Sequence, residues 1–244
     1  MVCGWVSSRS PEVPLVGDWL LLVVVLVIAV DTATPAVTAG VVDLDSMTVL
    51  AQCVTVDAKA HGELLTPHIL SALAEAGHTL ADVDAIVCGV GPGPFTGLRA
   101  GMATAAALGH ALVTPVFPVC TLDAIAADHS DGSLLVASDA RRKEVYWAAY
   151  DEAGTRVAGP SVDKPAVVVE RIPSLAVTRV AGNGATVYDL GLPHTGQEHP
   201  TPAGLVRAAR AELLSGAKPR PLVPLYLRRP DAVEPGARKR VTAP

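Results

Sequence analysis

Two aspartates raise the first chemical question. Asp31 closes the apolar run from Leu26, and Asp139 closes Leu134-Leu-Val-Ala-Ser-Asp, 108 residues later. Open α/β sheets place ligands at the carboxyl ends of their strands, and a phosphotransferase would use such carboxylates to hold a metal or activate a nucleophile. That chemistry also needs a phosphate loop, a row of free backbone N–H groups with a lysine or hydroxyl at its helix end. Residues 89–101, Gly-Val-Gly-Pro-Gly-Pro-Phe-Thr-Gly-Leu-Arg-Ala-Gly, have the outline of one. They lack its donors, because Pro92 and Pro94 carry no amide hydrogen and no lysine follows. We therefore read Gly91, Pro92, Gly93, Thr96 and Gly97 as a loop that fixes shape. Thr96 is the expected N-cap of the next helix, and Phe95 is held outward for a partner. The second half offers only Gly182-Asn183-Gly184 as a comparable loop. Asp31 and Asp139 are then favoured as caps of the turns after their strands, with a vestigial ligand site as the alternative.

Other reactive side chains are poorly spaced for catalysis. His61 and His68 flank one predicted helix seven positions apart. That is about 10 Å along its axis, too far to share one metal, so no metal site is expected. Cys3, Cys53, Cys88 and Cys120 form no C-x-x-C pair and stand in no nucleophile motif; buried thiols in a reducing compartment are the expectation. The clusters Arg141-Arg142-Lys143, Arg228-Arg229 and Arg238-Lys239-Arg240 are read as solvated faces or tails.

These residues must be positioned by a chain of 244 residues that is 50% hydrophobic and 18% charged, enough for one large or two modest cores. Aromatics make up only 4%, so the interior is built from Val, Ala and Leu, as in an α/β fold. A net charge of −5 argues against a stand-alone nucleic-acid binder. Trp19 to Val30 is nearly continuous hydrocarbon, but its twelve residues are too few to span a bilayer as a helix. The leader sets Arg9 against Glu12 and Asp18, so the positive region of a signal peptide is missing. Residues 1–23 are expected to be a leader without a structural task, disordered or produced by an upstream start-site assignment.

The first strand is expected from Val24 to Val30. Strands Ala36–Val42 and Met47–Val56 then form a meander. A helix from His61 to Ala76 ends at Gly77, and Pro67 implies either a kink or a start at Thr66. Strand Ala85–Val90, helix Gly97–Leu112, strand Val116–Val119 and helix Leu122–Asp128 complete a first half. The second half repeats this opening, with strands at Leu134–Ala140, Glu144–Tyr150 and Arg156–Val162. A helix near Pro165–Arg171, strand Thr178–Gly182 and helix Pro202–Leu214 follow. The similar order predicts an internal duplication. In the second helix Gly97, Gly101, Ala105 and Gly109 recur every four residues, a stripe that admits close approach either to the protein's own sheet or to a partner helix.

Val27–Thr34, His61-Gly62-Glu63-Leu64-Leu65, Gly91–Arg99, Asp139–Tyr150 and Pro224-Leu225-Tyr226-Leu227-Arg228 resemble the TsaB family, also called YeaZ, in order from about Val24 to Arg229. The resemblance implies an α/β fold of two duplicated lobes of the actin, sugar-kinase and chaperone-ATPase (ASKHA) type, here 24–129 and 130–227, followed by a basic tail at 228–244. It implies a non-catalytic scaffold in the synthesis of threonylcarbamoyladenosine in tRNA, binding and activating a TsaD-like transferase through first-lobe helices. A TsaE-like ATPase would join them, and tRNA would be met indirectly. No cofactor would be held tightly by this chain, ATP being used by the partner subunits, and the setting would be the cytoplasm, without a membrane. The interface residues carried over are Leu64, Leu65, Phe95, Leu98, Arg99, Gly101 and Met102. Pro94 and Gly62 depart from the family's usual serines. The alternatives are a glycoprotease-like peptidase or small-molecule kinase of the same fold, and a homodimer through the same face.

Overall fold

A computed structural model describes residues 26–216 and 218–228. The expected leader, the first two residues of the expected opening strand and the tail beyond 228 lie outside the described residues. The chain forms two sheets. In the first, β1 (Leu26–Asp31), β2 (Ala36–Asp43) and β3 (Thr48–Val56) make an antiparallel meander. Beyond β1, β4 (Ala85–Gly89) and β5 (Val116–Val119) add in parallel, giving the order β3-β2-β1-β4-β5. The second sheet repeats the plan with β6 (Leu134–Asp139), β7 (Val145–Tyr150), β8 (Arg156–Asp163) and β9 (Arg179–Ala181), in the order β8-β7-β6-β9. Here too the central strand pairs antiparallel with the next strand and parallel with a later one. Both sheets thus carry out the expected ASKHA-type duplication.

β1 is apolar on both faces because both are covered, as continuous hydrophobic strands require. Leu26, Ile28 and Val30 pack under α1 (His61–Glu75) and α2 (Phe95–Leu112), whose Leu65, Ile69, Leu73 and Ala105 enter the same cluster. Val27 and Ala29 face α6 (Pro202–Leu214) through Leu205, Val206 and Ala209. This corrects the boundary drawn at 130–227: α6 has its expected span, but it returns to the first sheet. Between the lobes, α3 (Thr121–Ala126) gives Leu122 and Ile125 to the core of β6 and β7 and Ala124 to the core under α6. On the far side of the second sheet, Val168 and Ile172 of α4 (Pro165–Leu175) pack with Trp147.

Helix ends show how local chemistry sets boundaries. α1 starts at His61, so Pro67 sits inside it, settling the two alternatives in favour of the longer helix. At its end Gly77, at φ +76°, donates to the Ala74 carbonyl while His78 N–H donates to that of Leu73, a Schellman closure. α2 begins two residues earlier than expected, at Phe95 rather than Gly97. Pro94, with extended ψ of 136°, is its N-cap, and its carbonyl accepts from Leu98 N–H at 3.0 Å. Thr96 is therefore in the first turn and is not the cap; no side chain caps this helix.

Candidate functional site

The first-lobe aspartate is sealed. Asp31 is fully buried: Thr121 Oγ1 donates to its Oδ2 at 2.6 Å and Ala33 N–H donates to its Oδ1 at 2.8 Å. Burial raises its pKa to about 6, against the lowering effect of these bonds and of nearby His61. The glycine loop makes the seal. A Cβ at Gly89 would overlap Asp31 Oδ2, and one at Gly93 would overlap the Ala33 carbonyl. Gly91 N–H reaches Thr121 Oγ1 at 3.3 Å, locking the loop to α3. Gly91, Pro92, Gly93 and Gly97 are all buried, while Thr96 is exposed.

The second-lobe aspartate is open. Asp139 lines a cleft of about 580 Å³ between the lobes. Its Oδ1 accepts from Arg141 N–H at 3.0 Å and from Tyr188 O–H at 3.4 Å. One wall is the start of α2, from Pro94 to Gly97; the other holds Ser138, Tyr146 and Asn183. Ser138 shares a sheet face with Val136 and Ala140 and pairs across to Tyr146, so its side chain points toward α3 and the cleft. It is 4% exposed, and its Oγ has no hydrogen-bond partner among the described residues. Lys59 and Arg141 also line the cleft, as does Arg228, which donates to the Ala140 carbonyl and pairs with Glu144. The hairpin tip Arg141-Arg142-Lys143 is exposed and has three successive positive φ angles of 59°, 53° and 61°, a costly conformation for residues bearing a Cβ. The two predicted aspartates thus end on opposite sides of a closed loop, and the structure does not bring them into one site.

A second hollow, of about 600 Å³, lies between α3, the β7–β8 turn and α6. Its arginines are committed, Arg156 to both carboxylate oxygens of Asp123 and Arg207 to Asp128. Burial pushes the Cys120 thiol up to about 12 and raises Cys88 further, so neither supplies a thiolate near neutral pH. His61 donates to the Thr34 carbonyl, while His68 bonds to Thr55 Oγ1. Among the described residues no group of three His, Cys, Asp or Glu side chains could hold a metal, and no helix is long and apolar enough to cross a membrane.

The residues expected at a partner face divide. Leu65 (1% exposed), Leu98 (0%) and Gly101 are interior. A Cβ at Gly101 would overlap Thr32 Oγ1 and one at Gly97 the Thr32 carbonyl, so the small-residue stripe serves α2's packing on its own lobe. None of the three presents surface to a partner: Gly101 of α2 is pressed on the β1–β2 turn, Leu98 is buried on the same helix, and Leu65 of α1 packs into the core over β1. Leu64, Phe95 and Met102 are half-buried and Arg99 is exposed. Phe95 and Arg99 are already engaged by the C-terminal segment: the Tyr226 ring packs tilted against Phe95 with ring centroids 4.5 Å apart, and Arg99 Nε donates to Tyr226 Oη at 3.2 Å. Leu70, which shares the apolar helical spacing of Leu64, Leu65, Ile69 and Leu73, is 49% exposed on α1 and was not among the residues expected at the interface. Ser138, Tyr146 and Asn183 were not among the expected site residues, although Asn183 lies in the Gly182-Asn183-Gly184 loop and Ser138 stands at a strand end.

Residues 48–218 match the family described as TsaD, tRNA N6-adenosine threonylcarbamoyltransferase. An uncharacterized protein of Mycobacterium tuberculosis is 55% identical over 206 residues, 84% of this chain and 93% of its own length. The tRNA threonylcarbamoyladenosine biosynthesis protein TsaB of Escherichia coli K12 is 35% identical over 158 residues, 62% of this chain and 67% of that protein. YeaZ from Pseudomonas aeruginosa superposes with a TM-score of 0.69 at 28% identity, covering 83% of this chain and 99% of that structure. With the duplicated lobes and the Gly-Pro loop in place, the chain belongs to the TsaB/YeaZ family.

Proposed function

We propose that this protein serves the biosynthesis of threonylcarbamoyladenosine in tRNA as a non-catalytic subunit that binds and activates a TsaD-like transferase through α1 and α2. The observation that carries this reading is the outer face of those helices. They form the outermost layer over one side of the first sheet, with Leu70 half-exposed and Leu64 and Met102 only partly covered. An exposed apolar side chain on a helix pair is what a helix-helix interface buries. Relatives named for this biosynthesis supply the pathway, and the sealed Asp31 fits a subunit that positions its partner rather than transforming a substrate. On this reading ATP is used by partner subunits, a TsaE-like ATPase joins the assembly, tRNA is held by the complex, and the setting is the cytoplasm.

Depletion of the protein tests the role directly. Threonylcarbamoyladenosine in total tRNA should fall, and the transferase should co-purify with the wild-type chain. Normal modification after depletion would overturn the role, and self-association through α1 and α2 without transferase capture would replace it with a homodimer.

A further inference from the structure

The last described stretch of the chain, residues 218–228, runs over both lobes without helix or strand, and none of its residues is fully buried. It is anchored on each lobe in turn. On the first, Leu222 packs against the core under α1 and α2, and Leu225 N–H donates to the Val90 carbonyl at 2.8 Å. Among the described residues, that is the one main-chain hydrogen bond from this stretch to the rest of the protein. On the second lobe, Leu227 packs against the cluster that holds Leu134, Val136 and Tyr146. Arg228 then grips the β6–β7 hairpin tip, donating to the Ala140 carbonyl at 2.8 Å and pairing with Glu144. The same two residues close the tip through Ala140 N–H and the Glu144 carbonyl, 3.0 Å apart. Between the anchors lies Tyr226, against Phe95 and Arg99.

Phe95, Arg99 and Met102 stand at helical positions i, i+4 and i+7, one stripe of α2 that continues the half-covered face offered to a partner. Tyr226 sits on the end of that stripe. A partner lying along α1 and α2 as far as Phe95 therefore meets the tyrosine ring first. A surface segment with no fully buried residue and a single main-chain bond belongs to the low-stability part of a structure, and it lifts without unfolding the lobes beneath. We infer that residues 224–228 are a releasable latch: they tie the two lobes together while Tyr226 covers Phe95 and Arg99, and a partner docking on those two residues displaces the ring and loosens the hold of Arg228 on the β6–β7 tip. Chain length supplies the coupling. Two residue steps of extended backbone reach about 7 Å, so a displaced Tyr226 draws Arg228 with it. Because one segment makes both contacts, weakening either weakens the other. The inference takes only the partner's identity from the transferase reading; the tie between the lobes stands without it.

The test is hydrogen exchange read by mass spectrometry on the full-length chain, free and with the transferase bound, for wild type, Tyr226→Ala and Arg228→Ala. In the free Tyr226→Ala chain, exchange in residues 138–146, on the far side of Arg228, should quicken at least about fivefold; Arg228→Ala should quicken exchange at Leu225 in return. Unchanged exchange in either variant would overturn the inference. In wild type, residues 222–228 should exchange faster in the complex than alone. Tyr226→Ala should bind the transferase about fivefold more tightly, because no ring has to be displaced. Slower exchange of that stretch in the complex, or weaker binding by Tyr226→Ala, would make Tyr226 part of the interface and overturn the inference. Failure of every chain to bind the transferase would instead sink the transferase reading, and the two measurements on the free chain would then decide the latch.

Discussion

At the end of β1, Asp31 lies beneath a glycine-proline loop, bonded to Thr121 and out of reach of solvent; at the end of β6, Asp139 opens onto a cleft where the buried Ser138 hydroxyl has no partner among the described residues. The two strands share flanking pairings and a terminal aspartate, so the difference comes from the segments that follow the parallel strands. After β4 the loop is long and runs into the 18-residue α2, with Gly93 and Gly97 pressed onto the Thr32–Ala33 backbone. After β9 it is short and leads only to α5 (Gly184–Val187), although Gly182 and Gly184 press on Ala137 in the same manner. Duplication supplied two equivalent strand ends. The long loop closed one and turned its helix outward, while the short loop left the other accessible. A carboxylate sealed from water and raised toward neutral pKa is held by packing, which fits the scaffold role proposed for the first lobe.

The contrast is broken most severely at the close approach of α2 to the β1–β2 turn. Gly101→Leu should cost the first lobe about 3 kcal/mol or more, because the new side chain meets Thr32 rather than a partner. Urea denaturation measures the loss, and a stable variant that merely fails to bind a partner would restore the stripe to the interface. Nearly as large is the pH effect of Asp31. Its folded pKa of about 6 exceeds the ordinary aspartate value of 3.8, so stability is greatest below about 4 and is lost as pH rises through 6. The shift corresponds to about 3 kcal/mol. Asp31→Asn should flatten that slope, whereas Asp139→Asn should leave it in place, with chemical denaturation across the range separating the two. A smaller effect belongs to the C-terminal segment. Tyr226→Ala removes the ring contact with Phe95 and the bond from Arg99, costing about 1 kcal/mol and speeding amide exchange around Leu225, whose N–H donates to the Val90 carbonyl. Smallest in stability is Leu70→Asp, within about 0.5 kcal/mol of wild type because the side chain is already half-exposed. Its consequence should be lost co-purification with the transferase; retained capture would move the interface away from α1.

Local pattern carried the elements well, as the span Pro202–Leu214 shows: it was legible as a helix and is one, from a proline start with Thr201 as its cap. Its destination was not legible. Helical periodicity marks an apolar face without saying which sheet that face meets, and α6 crosses back to the first. Leu64, Leu65, Ile69 and Leu70 give α1 two adjacent apolar stripes, and only packing shows that Leu65 and Ile69 turn inward while Leu70 turns out. At Pro94 a rule about hydroxyl caps named Thr96, yet a proline carbonyl in extended geometry starts the helix.

The amino-acid sequence by itself determined the duplicated α/β plan, the strand ends occupied by aspartate and the glycine-proline loop without phosphate-loop donors. Each follows from periodicity, backbone dihedral limits or a missing N–H, properties that belong to a few neighbouring residues. Tertiary structure alone decided that one aspartate is sealed and the other open, that the small-residue stripe faces inward, and that Ser138, Tyr146 and Asn183 meet the α2 N-terminus across a cleft. Those outcomes depend on which surfaces remain uncovered once distant segments compete to bury theirs, and that competition is settled only when the whole chain is packed.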